Sequence, residues 1–294
     1  MTPLVDLEDY RALIQLDTPW HGTPPQHQQL DPFDRQAIVQ NLLQQIGAGR
    51  DARAAINTPE QARRRLYSLL IQSQPDTIAE PILLEIDRLL ADEAHQRQSH
   101  ALPKATSSAT ALHLWRGDIT TLRCDAIVNA ANAALLGCFR PDHPCIDNAI
   151  HAMAGPRLRN DCHRIMELQG HPEPTGFAKI TRGYHLPAKF VLHTVGPIHR
   201  GDDQLAQESR LLSNAYTTCM DLADRLGGIR SLAFCCISTG VFGFPAELAC
   251  PIAVNTVRQW LDSHQHHFET IIFNVFSGRD ERLYEQVLNG HDHD

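Results

Sequence analysis

Ser231-Leu232-Ala233-Phe234-Cys235-Cys236-Ile237-Ser238-Thr239-Gly240-Val241-Phe242-Gly243-Phe244-Pro245 reads as a strand, a turn and the start of a helix. Leu232 to Ile237 is continuously apolar, the pattern of a strand covered on both faces. Gly240 and Gly243 let the backbone turn tightly with its amides exposed, and the helix that follows adds a partial positive charge. Strand, glycine turn and helix together are the repeating unit of an open α/β sheet, where ligands collect at the carboxyl ends of the strands. The turn suits a phosphate or pyrophosphate; the plain alternative is an ordinary strand-to-helix connection. It is neither a P-loop, lacking Gly-Lys-Ser/Thr, nor a GxGxxG fingerprint.

The same alternation extends outward from this segment. Candidate strands are Leu112–Trp115, Ala126–Asn129, Ala178–Thr181, Phe190–Thr194, Ser231–Cys236 and Thr270–Phe276; helical periodicity falls near Cys145–Leu158, Leu205–Leu226, Pro245–Ser263 and Asp280–Asn289. This predicts a three-layer α/β/α domain over 111–294. Residues 1–97 read instead as short helices. Leu4, Leu7, Tyr10, Leu13 and Ile14 share one period, and Ile38, Leu42, Leu43 and Ile46 another that stops at Gly47 and Gly49. Thr58 and Pro59 mark a third start, with Leu66, Leu69 and Leu70 on one face, and a fourth helix runs from about Thr77. The polar, aperiodic stretch between Gln96 and Thr110 is read as a linker over 98–110. His21, His27 and His95 stand apart from one another and are taken as surface residues.

The 294 residues carry a net charge of −8 and are 43% apolar, which suits a folded chain and excludes a disordered one. The acidic balance argues against nucleic acid or an anionic membrane as partner, and no apolar run approaches a membrane span. Asp6, Glu8 and Asp9 stand where a signal peptide needs basic residues, so a soluble cytoplasmic protein is expected. The eight cysteines are too sparse for a disulfide scaffold, and most are expected to be reduced thiols in the core. Cys235 and Cys236 should alternate across their strand.

Two more loops follow predicted strands. In Arg116-Gly117-Asp118-Ile119-Thr120 the carboxylate either accepts hydrogen bonds from an exocyclic amine or caps the following turn. In Val128-Asn129-Ala130-Ala131-Asn132 two asparagines either present amides to sugar hydroxyls or simply favour a turn. Taken with DNAIHAMAG from 147, HTVGP from 193 to 197 and STGVFGFP from 238, these loops resemble the macrodomain family. Five motifs in order, covering about residues 110 to 290, carry the resemblance.

The resemblance implies a mixed central sheet and an ADP-ribose site. By position, Gly117, Asp118 and the Ile119 amide would take the adenine and Phe276 would stack on it. Ser238, Thr239, Gly240, Val241 and Phe242 would hold the diphosphate, and Asn132 would face the distal ribose. Asp147 matches the aspartate that hydrolytic members use near that ribose, and His151 a histidine they often carry. The plain reading of Asp147 is a first-turn helix acid.

One segment departs from the common pattern. Where most hydrolytic macrodomains carry a run of glycines, this chain has Leu136-Gly137-Cys138-Phe139-Arg140-Pro141-Asp142-His143-Pro144-Cys145. Cys138, His143 and Cys145 form a nitrogen-and-sulfur set suited to one Zn²⁺, and three ligands leave a fourth position open to water or substrate. The alternative is three unlinked residues in a chain with 17 histidines. The insertion, with the helical extension, resembles the zinc-containing macrodomains. These are protein-ADP-ribose hydrolases, often found beside a sirtuin-type ADP-ribosyltransferase.

The expected reaction is zinc-dependent removal of mono-ADP-ribose from Asp- or Glu-modified protein, with Asp147 positioning water and Asn132 the ribose. The rivals are a non-catalytic reader of ADP-ribose and a hydrolase of free derivatives such as O-acetyl-ADP-ribose. A thiol dyad of Cys145 and His151 is disfavoured, because a metal better explains two thiols.

Overall fold

The computed structural model describes residues 4–20, 30–47, 56–102 and 111–290. His21, His27, Gly49 and most of the expected linker lie outside them. Six strands form the central sheet: β2 (Ala111–Arg116), β4 (Ala126–Ala130), β5 (Ala178–Arg182), β6 (Phe190–Thr194), β7 (Ser231–Phe234) and β8 (Thr270–Val275). Their order is β2-β8-β7-β4-β6-β5, parallel except for β5, which runs antiparallel at the edge beside β6. The sheet is therefore mixed, and the carboxyl ends of β2, β8, β7, β4 and β6 share one rim. Strand runs such as Ile127-Val128 and Ile271-Ile272 are buried throughout, as two covered faces require. On the flanks, α7 (Leu205–Leu226), α8 (Ala246–Ser263) and α9 (Gly278–Asn289) pack in sequence, while α5 (Ile146–Ala154) and α6 (Pro156–Gln169) form a separate pair.

Before the sheet come α1 (Leu7–Tyr10), α2 (Pro32–Gly47), α3 (Pro59–Gln72) and α4 (Glu80–Gln96). Helices α2, α3 and α4 share a small core of their own, built from Leu42, Leu66, Ile86 and Leu89 among others. α3 and α4 lie over α5. Thr58 caps α3 as expected, its hydroxyl accepting from the Gln61 amide at 3.2 Å. The region is fastened to the sheet domain through α6. Arg157 donates to Asp87 at 2.7 Å, and Asp87 also meets His185 at 3.0 Å; the Asp76 amide donates to Asn160.

Several expectations need correction. The helix expected over Cys145–Leu158 is two helices, because Gly155 takes a φ of +92° and Pro156 opens a new turn. The N-terminal periodic run is α-helical only over Leu7–Tyr10 and continues as turns. β7 ends at Phe234, so Cys235 and Cys236 leave the strand rather than alternate within it. His100–Ala101, inside the expected linker, form a short strand β1 paired in parallel with β3 (Leu122–Arg123). All eight cysteines are free, and among the described residues no helix is long and apolar enough to cross a membrane.

Candidate active site

The loop after β2 is shaped by what glycine lacks. A Cβ on Gly117 would meet the Trp115 ring at 2.5 Å, so only glycine lets the chain cross it. The Gly117 amide donates to Val275 O, and Asn274 Nδ2 donates to Gly117 O. Asp118 Oδ1 accepts from the Thr120 amide and hydroxyl at 2.9 and 2.7 Å, which is the capping geometry. Ile119 is buried behind it, and Phe276, just past β8, is 82% exposed.

The turn after β7 is strained. Ser238 sits at φ +67°, a conformation costing about 1–2 kcal/mol for a residue with a Cβ. It persists because the turn is closed from several sides: Phe244 N donates to Ser238 O, Gly243 N to Gly240 O, and His199 N to Phe242 O. The HTVGP segment explains itself here, since a Cβ on Gly196 would lie 2.1 Å from Ser238 Oγ. Among the described residues no backbone carbonyl takes the amide hydrogens of Gly240, Val241 or Phe242. Val241 is 70% exposed.

The loop after β4 spends Asn132 on itself. Its Oδ1 accepts from Ala134 N and its Nδ2 donates to Gly137 O, both at 2.9 Å. Leu135 and Phe139 carry positive φ values of 58° and 55° either side of Gly137. Asn129, one of the two asparagines that would either meet a sugar or favour a turn, does neither: it is fully buried, because the strand alternation turns it inward. It donates to Asp147 Oδ1 at 2.8 Å and meets His193 Nδ1 at 3.1 Å.

Asp147 is 5% exposed, and burial raises its pKa to about 6 against the lowering hydrogen bond from Asn129. His151 lies one turn on, its Nε2 3.4 Å from Asp147 Oδ1. Burial drives His151 well below the usual imidazole range, so this is a contact with a neutral ring and not an ion pair. His193, also buried, is lowered to about 3.

Cys138, His143 and Cys145 converge, their ligand atoms all within 4.8 Å of one another and Cys138 Sγ 3.4 Å from His143 Nδ1. A sulfur and a nitrogen on one tetrahedral Zn²⁺ stand about 3.6 Å apart, so the spacing fits that ion. Cys145 also caps α5, accepting from Asn148 N, and burial pushes its thiol up to about 11 in the metal-free chain. Asn148 Nδ2 returns to the loop, donating to Arg140 O and His143 O at 2.6 and 3.0 Å. Other nearby ligand types point elsewhere: Cys162 sits against His193, and His163 against Glu167. No fourth protein ligand joins the three among the described residues.

Sequence reading missed the buried Arg159 and the inward role of Asn129, whose partners Leu70, Ser73, Asp147 and His193 stand far off in the chain. A cavity of about 380 Å³ lined by Arg97, Arg123, Asp125 and Lys189 lies at the opposite end of the strands and holds none of these loops.

Residues 128–253 match the family model described as Macro domain. The chain is 43% identical over 225 residues to a protein-ADP-ribose hydrolase of Staphylococcus aureus, covering 76% of this chain and 84% of the relative. To a protein of the same name from Treponema medium it is 55% identical over 178 residues, covering 60% and 67%. Its fold is similar to that of an Oceanobacillus iheyensis macrodomain mutant with ADPR, at a TM-score of 0.57 and 36% identity, covering 64% of this chain and 96% of that one. The chain belongs to the macrodomain family.

Proposed function

We propose that this chain removes mono-ADP-ribose from modified proteins, with the modification on an Asp or Glu side chain and one Zn²⁺ held by Cys138, His143 and Cys145. The observation that carries the reading is the meeting of those three ligands at the start of the helix that bears Asp147, on the rim that carries the other four loops. The relatives' shared name, at 43% and 55% identity, supports the hydrolytic part.

The chain's own residues divide the work. Gly117, Asp118, Ile119 and Phe276 take the adenine end. The free amides of Gly240, Val241 and Phe242, with Ser238 and Thr239, take the diphosphate. Asn132 holds the distal ribose by exchanging its bond to Gly137 O for one to a sugar hydroxyl. Asp147, ionised at neutral pH, orients and accepts a proton from the attacking water. One water adds across the ester between ribose and side chain, releasing ADP-ribose and restoring the acid. Cys138, His143 and Cys145 would hold a Zn²⁺, which would supply a Lewis acid able to draw charge from an oxygen of the ester or of water. The same resemblance to zinc macrodomains extends the reading to a sirtuin-type ADP-ribosyltransferase as the enzyme that writes the mark.

The test combines metal content by mass spectrometry on untagged protein with release of ADP-ribose from a glutamate- or aspartate-modified protein. One zinc per chain, and a Cys138→Ala variant that loses turnover about a hundredfold or more while keeping ADP-ribose affinity, support the reading. Full hydrolysis by Cys138→Ala overturns the catalytic metal. Binding without release in the wild-type chain returns the protein to the readers of ADP-ribose, and turnover confined to O-acetyl-ADP-ribose moves the substrate to free derivatives.

A further inference from the structure

We infer that Arg159 is a positioning residue for the hydrolytic site, and that through it helix α3 of the N-terminal region becomes a structural part of that site. This rests on the function proposed above and concerns the same loop.

Arg159 is 4% exposed on α6, and two of its three guanidinium nitrogens donate hydrogen bonds. Nε donates to Leu136 O at 2.8 Å, inside the loop that leaves Asn132 for Cys138. One terminal nitrogen donates to Leu70 O at 3.0 Å and Ser73 O at 2.7 Å, the carbonyls at the carboxyl end of α3. A cation suits that end, where helix carbonyls lack partners and the dipole is negative. The face of the guanidinium covers the Phe139 ring at 4.7 Å, and a Cβ on Gly137 would lie 3.4 Å from its remaining nitrogen, Nη2.

The loop needs such a hold. Leu135 and Phe139 both adopt left-handed backbone that bulky residues avoid, and such conformations persist only where surrounding contacts over-determine them. Asn148 supplies one restraint from α5, pinning the loop between Arg140 and His143. Arg159 supplies the other between Leu136 and Phe139, and its anchorage is α3. Tyr67, half-buried on α3, lines a small pocket with His151 of α5 and Arg159 of α6, and α3 packs along the helix that Cys145 caps. The three segments that place Asn132, Cys138 and Cys145 thus lean on a helix outside the macrodomain itself. Among the described residues, no hydrogen bond or ring contact joins Arg159 to the adenine or diphosphate loops.

The experiment compares the full chain with Arg159→Lys and, as a surface-side check that leaves the buried arginine in place, Phe139→Leu. Lysine keeps the charge, but its donors all sit on one nitrogen and cannot span the Leu136 carbonyl on one side and the Leu70 and Ser73 carbonyls on the other, as the guanidinium fork does. Three quantities are read on zinc-loaded protein: ADP-ribose affinity by calorimetry, kcat and KM on ADP-ribosylated protein, and zinc release to a chromogenic chelator. Arg159→Lys should lose about a hundredfold in kcat and release zinc about tenfold faster or more. Its ADP-ribose affinity should stay within about threefold of wild type. Phe139→Leu should move kcat and zinc release the same way by less, and it decides the matter if Arg159→Lys does not fold.

Wild-type kcat and zinc retention in both variants overturn the inference. So does a loss of ADP-ribose affinity as large as the loss of kcat, which is the mark of general destabilisation. A wild-type chain that neither holds zinc nor releases ADP-ribose overturns the underlying reading instead, whatever the variants do.

Discussion

Ser238 and Gly196 show how one backbone atom decides the shape of a binding loop. Ser238 is held at φ +67° with its hydroxyl buried and without a hydrogen-bond partner, two costs a free loop would shed. It stays because the chain at Gly196 passes so close that the serine has nowhere to go: a methyl there would stand 2.1 Å from Ser238 Oγ and 2.6 Å from Ile237 Cγ2. Gly196→Ala should therefore push the turn that presents the amides of Gly240 to Phe242. The overpacking should cost about 1–3 kcal/mol of stability. ADP-ribose affinity should fall about tenfold or more, since anion recognition by amides depends on their direction. Denaturant unfolding and calorimetry check the two effects, and an unchanged affinity would mean the turn is not the diphosphate site. Asn132 and Asp147 illustrate the opposite case, in which the residue type is legible but its bonds are not. Nothing in VNAAN says that Asn129 turns inward to hold Asp147 while Asn132 closes its own loop.

Elements were legible where a local rule fixed them. Each of the six sheet strands lies where a short run of largely apolar or β-branched residues placed it, and Leu205–Leu226 is a helix over the expected bounds. Thr58-Pro59 marked α3 correctly because a cap is a contact three residues long, its hydroxyl meeting Gln61 N. Thr58→Ala should cost about 1 kcal/mol and lower Tm by a few degrees. If α3 is built into the site only by its far end, ADP-ribose affinity will not change. A Tm equal to wild type would show that the helix draws no stability from its cap. What failed did so for physical reasons. Gly155-Pro156 was passed over inside an apolar period, although a glycine at φ +92° before a proline ends one helix and starts another. β1 lay hidden because a two-residue strand has no period to read. Arg159 was invisible for a different reason: its partners Leu70 and Ser73 are 89 and 86 residues away, and no local pattern announces a bond of that span.

At the scale of the whole molecule, the buried polar cluster beneath the site sets how stability responds to acid. His151 and His193 are fully enclosed and held neutral, the first well below the usual imidazole range and the second near 3, both by burial. In the unfolded chain each titrates near 6.5. As pH falls below that value the unfolded state takes up two protons that the folded state refuses, so both groups contribute stability that is lost on acidification. Asp147 acts with the opposite sign. Its folded pKa of about 6 exceeds the unfolded value of about 3.9, so between those limits the folded state binds the extra proton and gains stability. Two losses against one gain leave a net decline of about 1.4 kcal/mol for each pH unit between about 6 and 4. The measurement belongs on metal-free protein, where proton competition at Cys138, His143 and Cys145 does not add its own slope. Denaturant unfolding from pH 7 to 4.5 should show stability falling steadily below about 6.5, and zinc-loaded protein should fall more steeply still, because protons displace the metal as well. A flat or rising profile in the metal-free chain would mean that the two imidazoles reach solvent or accept protons where they lie. The packing of Asn129, His151 and His193 beneath the rim would then be looser than their burial indicates.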